Sequence, residues 1–332
     1  MLSLADHWLW DSWIADDGEL FHLYVLQAPR ALEEGWRRHT AARLGHATSP
    51  DLVDWTYHGV ALAPAPQGAW DDLALWTGST VRGDDGVWRM FYTAINSRGL
   101  GVKDQRIGVV HSNDLFTWER RRDTPLLEAD PSMYMTLGLA NDPVASETWR
   151  DPYVFRDPDG DGWHMYITAR LPGAPRLDDG ILGYARSHDL DSWELQPAVT
   201  VPAGFGQIEV PQVGVVDGQP TLVFTCHPQE QPPETIERWG EYCTWSVPGD
   251  SLLGPWDISK AVPFTAEPDL FAAPFIRDRS GQWVLVGFVN LEPKSILSFD
   301  IIDPIPLVSR DGVLQARDDY VPVGEARLAT GR

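Results

Sequence analysis

Residues Trp149 to Arg170 read WRDPYVFRDPDGDGWHMYITAR, a pattern of strand, tight turn and strand. Pro152 suits a strand start, where a missing N–H costs little. Tyr153, Val154 and Phe155 favour a pleated, half-buried surface. Asp159-Gly160 and Asp161-Gly162 are hairpin-turn signals. Trp163, Met165, Tyr166 and Ile167 make the returning strand. The same unit recurs four times: DSWIADDGELFHLYVLQ from Asp11, WTGSTVRGDDGVWRMFYTAI from Trp76, EVPQVGVVDGQPTLVFTC from Glu209 and APFIRDRSGQWVLVGFVN from Ala273. Each unit has a short first strand, a turn with a glycine (Gly18, Gly86, Gly162, Gly218, Gly281) and an apolar second strand.

A second signature follows the units. Ser49–Trp55, Ser112–Trp118 and Ser187–Trp193 share the form S-x-D-L-x-x-W, with a degenerate copy at Ser251–Trp256. The Asp favours a turn, and the Trp is read as core that plugs the gap between neighbouring sheets. Units spaced by roughly 55–75 residues, against about 40–50 for an ordinary blade, predict a five-bladed β-propeller with long connections. No segment keeps a helical period, and no alternating βα order is present. The expectation is an all-β chain forming one catalytic domain over residues 1–332. Pro172–Asp179 and Pro228–Glu237 read as rim loops, and Asp311–Arg332 as the last strand closing the ring plus a frayed end.

Composition narrows the partners. With 26 basic and 48 acidic residues the net charge is -22, which argues against nucleic acid or an anionic membrane surface. No run approaches the roughly 18 apolar residues of a membrane span. The N-terminus lacks a basic region, and Asp6 and Asp11 interrupt any apolar stretch, so no signal peptide is expected. Cys226 and Cys243 are too few for a disulfide scaffold, which suits a reducing, cytoplasmic setting. No His/Cys cluster has metal-ligand spacing, and no Gly-rich loop precedes a helix. Neither metal nor cofactor is therefore expected.

A propeller gathers the starts of its first strands at one mouth of the channel. Here those starts are Asp11, Trp76–Ser79, Arg150-Asp151, Glu209 and Asp269–Pro274. Asp11, Asp151 and Glu209 are carboxylates among apolar, aromatic neighbours such as Trp10, Trp13 and Trp149, where an unpaired charge is costly. Paired carboxylates in one pocket are what glycoside hydrolysis needs: one protonates the leaving oxygen, the other attacks the anomeric carbon or activates water. Their proximity also drives their pKa values apart. Adjacent Arg150 and Asp151 face opposite sides of a regular strand, so both reach the pocket only where the strand start bends. Glu237-Arg238 is a weaker acidic candidate. His46 and His227 have polar neighbours that suit either a pocket rim or plain hydrogen bonding.

The motifs carry a resemblance. Trp10-Asp11-Ser12-Trp13 resembles the nucleophile motif of family 68 glycoside hydrolases, the levansucrase-like enzymes. His46–Trp55 is similar to the H-A-x-S-x-D-L-x-x-W stretch of family 32, the invertases and fructanases. Trp76-Thr77-Gly78-Ser79 resembles the W-S-G-S motif of both, Arg150-Asp151-Pro152 their R-D-P motif, and Glu209-Val210-Pro211 their acid/base motif. Asp269–Ala272 resembles the D-F-Y-A segment of family 32. The chain departs from both families: Ser12-Trp13 follows Asp11 where family 32 has N-D-P, Val210 replaces the Arg of the family 68 E-R-P, and 332 residues leave no room for the β-sandwich of family 32.

The resemblance implies a retaining enzyme acting on β-fructofuranosides such as sucrose or short fructo-oligosaccharides. Asp11 would be the nucleophile, Glu209 the acid/base and Asp151 the transition-state stabiliser. Trp10, Trp76 and Arg150 would contact the small carbohydrate substrate, and Ser79, His46 and His227, read from their positions and neighbours, are further candidate contacts. The alternatives are an inverting arabinofuranosidase- or xylosidase-type propeller and a non-catalytic sugar-binding propeller. The acidic balance favours a neutral substrate over a phosphorylated one.

Overall fold

The computed structural model describes residues 1–98, 102, 104–137, 147–160, 162–289 and 299–322. Strands dominate, and five of the six sheets they form among the described residues are arranged as the blades of a propeller. Blade 1 is β1 (His7–Asp16), β2 (Phe21–Pro29), β3 (Arg43–Ser49) and β4 (Thr56–Leu62). Blade 2 is β5 (Ala74–Arg82), β6 (Trp88–Ile95) and β7 (Gln105–Ser112). A bridge between His111 and Glu119 stands where its fourth strand would run. Blade 3 is β8 (Trp149–Arg156), β9 (Trp163–Arg170), β10 (Gly180–Ser187) and β11 (Glu194–Gln196). Blade 4 is β12 (Glu209–Val216), β13 (Gln219–Thr225), β14 (Thr244–Pro248) and β15 (Val262–Pro263).

The short β16 (Leu270–Phe271) leads into blade 5, which is β17 (Phe275–Arg277), β18 (Trp283–Leu285), β20 (Ile305–Arg310) and β21 (Val313–Ala316). Its companion β19 (Phe288–Val289) pairs with β16. Each blade is an antiparallel meander that starts at the channel and works outward. The five sequence units are the first two strands of each blade. Of the turn residues in the quoted hairpin, Asp161 lies outside the described residues. Two short helices interrupt the connections, α1 (Arg38–Ala41) and α2 (Pro233–Trp239). No helix among the described residues is long and apolar enough to cross a membrane.

The blades adhere through apolar cores between neighbours rather than within sheets. Phe91 and Ile107 of blade 2 pack with Trp149 and Val154 of blade 3, and Tyr166 and Leu182 of blade 3 with Phe224 and Trp245 of blade 4. Val216 and Val223 of blade 4 join Phe275 and Leu285 of blade 5. The S-x-D-L-x-x-W stretches serve these seams. In each, the Asp carboxylate takes the N–H groups two and three residues ahead, and the Leu turns through a left-handed backbone (Leu52 φ 69°, Leu115 φ 64°, Leu190 φ 70°) into full burial. Trp118 then meets Tyr24 of blade 1 edge-on, and Trp193 meets Phe91 of blade 2. The ring closes between blades 5 and 1 through Leu2, which exchanges backbone bonds with Ile301, and through Leu9 N–H donating to Phe299. Among the described residues the tail does not close the ring. Its strand β21 is the outer edge of blade 5, paired with β20, and residues 323–332 lie outside the described residues.

Candidate active site

The inner strands are not regular. In β1 the register passes from Trp10↔Leu26 to Ser12↔Val25, leaving Asp11 as the extra residue of a bulge. In β5 it passes from Trp76↔Thr93 to Gly78↔Tyr92, leaving Thr77. In β8 Asp151-Pro152, and in β12 Val210-Pro211, are two residues set against one on the neighbouring strand. Four blades therefore break pairing at the same level. Asp151 (φ 56°) and Val210 (φ 47°) hold left-handed backbones there, which for a β-branched valine is strained. This is the bend that lets Arg150 and Asp151 both face the pocket. Gly78 follows its bulge for a simpler reason: a Cβ there would stand 1.9 Å from the Phe91 carbonyl oxygen.

A belt of short side chains locks these bulges across blades. Thr77 hydroxyl donates to Asp11 Oδ2 at 2.6 Å, tying blade 2 to blade 1. Asp151 N–H donates to Thr93 Oγ1 at 2.9 Å, and Ser79 hydroxyl donates to the Pro152 carbonyl at 2.7 Å. Thr168 hydroxyl lies 2.9 Å from Asp151 Oδ2 and 3.0 Å from the Ile208 carbonyl, sharing one proton between two acceptors. Gln212 reaches blade 5, donating to Ala273 and accepting from the Phe275 N–H.

Above this belt opens a pocket of about 540 Å³. Trp10, Asp11, Trp76, Arg150, Asp151, Glu209 and His227 all line it, contributed by four different blades. Arg150 sits between two of the carboxylates, with Nη2 2.6 Å from Glu209 Oε1 and Nε 3.4 Å from Asp151 Oδ2. Gln207 Oε1 accepts from the same Nη2 at 3.0 Å.

Burial dominates the electrostatics. It pushes Asp11 up to about 6, with the charge of Glu209 adding and the Thr77 hydroxyl and Arg38 opposing. It likewise pushes Asp151 up to about 6, against the pull of Arg150 and helped by Asp11. Glu209 is raised by burial over the opposing Arg150, with Asp151 adding to the rise. His39, against the edges of Trp10 and Trp76, is driven down to about 3 by burial and by Arg38 and Arg150, so it is a neutral imidazole.

Two expected contacts are elsewhere. His46 is buried in blade 1, stacked between His22 and Tyr24 and capped by Phe116, and it does not line the pocket. The H-A-x-S stretch places it on β3, two strands out from the channel, where polar neighbours mean hydrogen bonding to His22. Ser79 lies past the β5 bulge, so its hydroxyl turns to blade 3, where it also accepts from the Val154 N–H, and lines the opposite end of the channel. Glu237 lies exposed on α2, outside the pocket. Several lining residues carried no sequence motif of their own: Trp36, Arg38 and His39 from the β2–β3 connection, Gln105 at the start of β7, Gln207 before β12, and Glu230 from the β13–β14 connection. Gln207 alone had a positional signal, two residues before Glu209.

Such a ring, with one buried and two half-buried carboxylates and an arginine turned by bulges into one tryptophan-walled pocket, has the build of a two-carboxylate glycosidase. The chain belongs to glycosyl hydrolase family 32: the family's N-terminal domain matches residues 14–295, a span that begins just after Asp11. The sucrose-6-phosphate hydrolase of Pediococcus pentosaceus is 26% identical over 253 residues, covering 74% of this chain and 46% of that protein. The extracellular sucrase of Zymomonas mobilis is 27% identical over 263 residues, covering 66% of this chain and 61% of that protein. The chain thus spans about half to three-fifths of these relatives. Among solved structures, the inulosucrase from Halalkalicoccus jeotgali bound to kestose superposes with a TM-score of 0.73 at 19% identity, over 97% of this chain and 94% of that one. Bacillus subtilis levansucrase superposes with a TM-score of 0.76 at 12% identity, over 96% and 88%. These likenesses are of fold.

Proposed function

We propose that this protein is a retaining glycoside hydrolase that cleaves β-fructofuranosidic bonds in a small neutral sugar such as sucrose or a short fructo-oligosaccharide. The observation that carries the reading is the convergence of Asp11, Asp151 and Glu209, from three blades, on one pocket walled by Trp10 and Trp76. Asp11 attacks the anomeric carbon while Glu209 gives its proton to the leaving oxygen, so the glycosidic bond breaks as a furanosyl ester forms. Glu209 then takes a proton from water, or from the hydroxyl of an acceptor sugar, whose oxygen displaces Asp11. Asp151, fixed by Thr168 and the Val210 N–H, accepts hydroxyl hydrogens of the furanose that tighten in the transition state. Arg150 holds Glu209 and Asp151 in place. Burial raises Glu209 despite that arginine, the direction a general acid requires. The two thiols are buried and unbridged, which fits the cytoplasmic setting proposed for the chain.

NMR of the first-formed product tests the reading. Retained β-configuration of the released or transferred fructosyl unit is expected. Inversion would remove Asp11 from the nucleophile role and favour the arabinofuranosidase-like alternative, and absence of turnover on a furanoside panel would leave a binding propeller.

A further inference from the structure

We propose that Glu230 makes the leaving-sugar side of the pocket accept an uncharged sugar and turn away a phosphorylated one. The proposal rests on the fructofuranosidase reading above. Glu230 ends the turn that follows β13 in blade 4, the blade that also supplies Glu209. It lines the pocket, and its side chain keeps 26% of its surface exposed. A general acid must touch the glycosidic oxygen. Glu230 lines the same pocket from the blade that carries Glu209, and the departing sugar is set against it in this proposal.

Behind Glu230 stand two guanidinium groups. Arg170, itself buried, donates from Nη2 to Glu230 Oε2 at 3.0 Å, and Arg176 Nη2 lies 3.7 Å from Oε1. Arg170 also stands 3.8 Å from Asp179. One carboxylate thus faces the substrate and masks two cations that a phosphate would otherwise use. Arg150 offers no substitute, because Glu209 and Asp151 already claim it. Gly206 lets the carboxylate approach: a Cβ there would meet Glu230 Oε2 at 3.2 Å and its carbonyl oxygen at 2.9 Å. The position matters because the matched relatives include both a sucrase and a sucrose-6-phosphate hydrolase.

The test is kcat/KM for sucrose and for sucrose phosphorylated on its glucosyl unit, in wild type, Glu230→Gln and Glu230→Gln/Arg176→Ala. Gln keeps the shape and still accepts from Arg170. Wild type is expected to prefer sucrose, and the single variant to shift the ratio toward the phosphorylated sugar by about tenfold or more. The double variant should lose much of that gain. An unmoved ratio in a folded Glu230→Gln, or a wild type that prefers the phosphorylated sugar, overturns the proposal. Should Glu230→Gln fail to fold, Glu230→Ser is read in its place: it uncovers the same two guanidinium groups and should shift the ratio in the same direction, and an unmoved ratio sinks the idea. Wild-type cleavage of an aryl β-fructofuranoside checks the underlying reading separately. If that fails, the reading fails; if it holds and the ratio does not move, only the role of Glu230 falls.

Discussion

Asp11 shows what a functional residue costs a fold. It was readable in Trp-Asp-Ser-Trp because a carboxylate among tryptophans is expensive to bury. The structure adds that it is the extra residue of a bulge, held by the Thr77 hydroxyl. A carboxyl whose pKa is raised by folding, here from 3.8 to about 6, favours the folded state only while protonated. That contribution is lost as pH rises through about 6, so ionised Asp11 is a net burden at pH 7. Asp11→Asn should therefore abolish turnover and raise stability at pH 7 by about 1–2 kcal/mol, since the carboxylate is partly exposed and screened. Loss of activity with a higher urea midpoint supports this; a lower midpoint refutes it. Glu209→Gln removes the group that would protonate the leaving oxygen. On a substrate with a good leaving group, the basic limb of the kcat profile should move or vanish, because the proton donor has gone. An unchanged limb assigns the acid elsewhere.

Strands and turns were more legible than side-chain positions. The unit of short strand, glycine turn and apolar strand was visible five times because continuously buried strands and hairpin turns leave local marks. The S-x-D-L-x-x-W turn was visible as a repeat, though nothing in a leucine announces a left-handed backbone. The bulges were hinted at by one conflict, Arg150 beside Asp151. Without that bend the same reasoning put Ser79 in the pocket, whereas one extra residue before it turns the hydroxyl to the blade 3 seam. His39 and Glu230 were silent because they sit on irregular connections, whose path depends on the rest of the ring.

Gly78→Ala sets a Cβ on the Phe91 carbonyl, so β5 must leave β6 and carry Thr77 away from Asp11. Several kcal/mol of stability should be lost along with activity, read by urea unfolding and sucrose turnover. Asp189→Ala removes the bonds that hold the turn at Leu190, far from the pocket. It should lower stability by about 1–2 kcal/mol with KM unchanged.

The whole ring sets two pH demands against each other. Five blades of one charge-rich chain carry a net -22 at pH 7, and self-repulsion eases as pH falls toward the sequence pI of about 4.6. The pocket pulls the same way: Asp11 and Asp151 are raised to about 6, so their contribution is complete near pH 4 and lost through pH 6. The turn aspartates pull the other way. Asp51, Asp114 and Asp189 are held low by backbone N–H groups, despite some opposing burial, and Asp85 is held at about 2 chiefly by Arg89. Their contribution is present above about 4 and disappears below it. Stability should therefore peak between about pH 4 and pH 6. Catalysis needs Asp11 and Asp151 ionised, so kcat/KM should rise through about pH 6 and then end on the basic limb where Glu209 gives up its proton. The most stable pH and the most active pH should differ by about one unit, with activity on the alkaline side. Melting temperature and initial rate, measured across one buffer series, decide the matter. In Asp11→Asn the stability maximum should broaden toward neutral pH, because one of the two raised carboxyls is gone. Coincident optima in wild type would mean that the pocket carboxylates ionise as freely as those in solvent, and the account of their burial would fail.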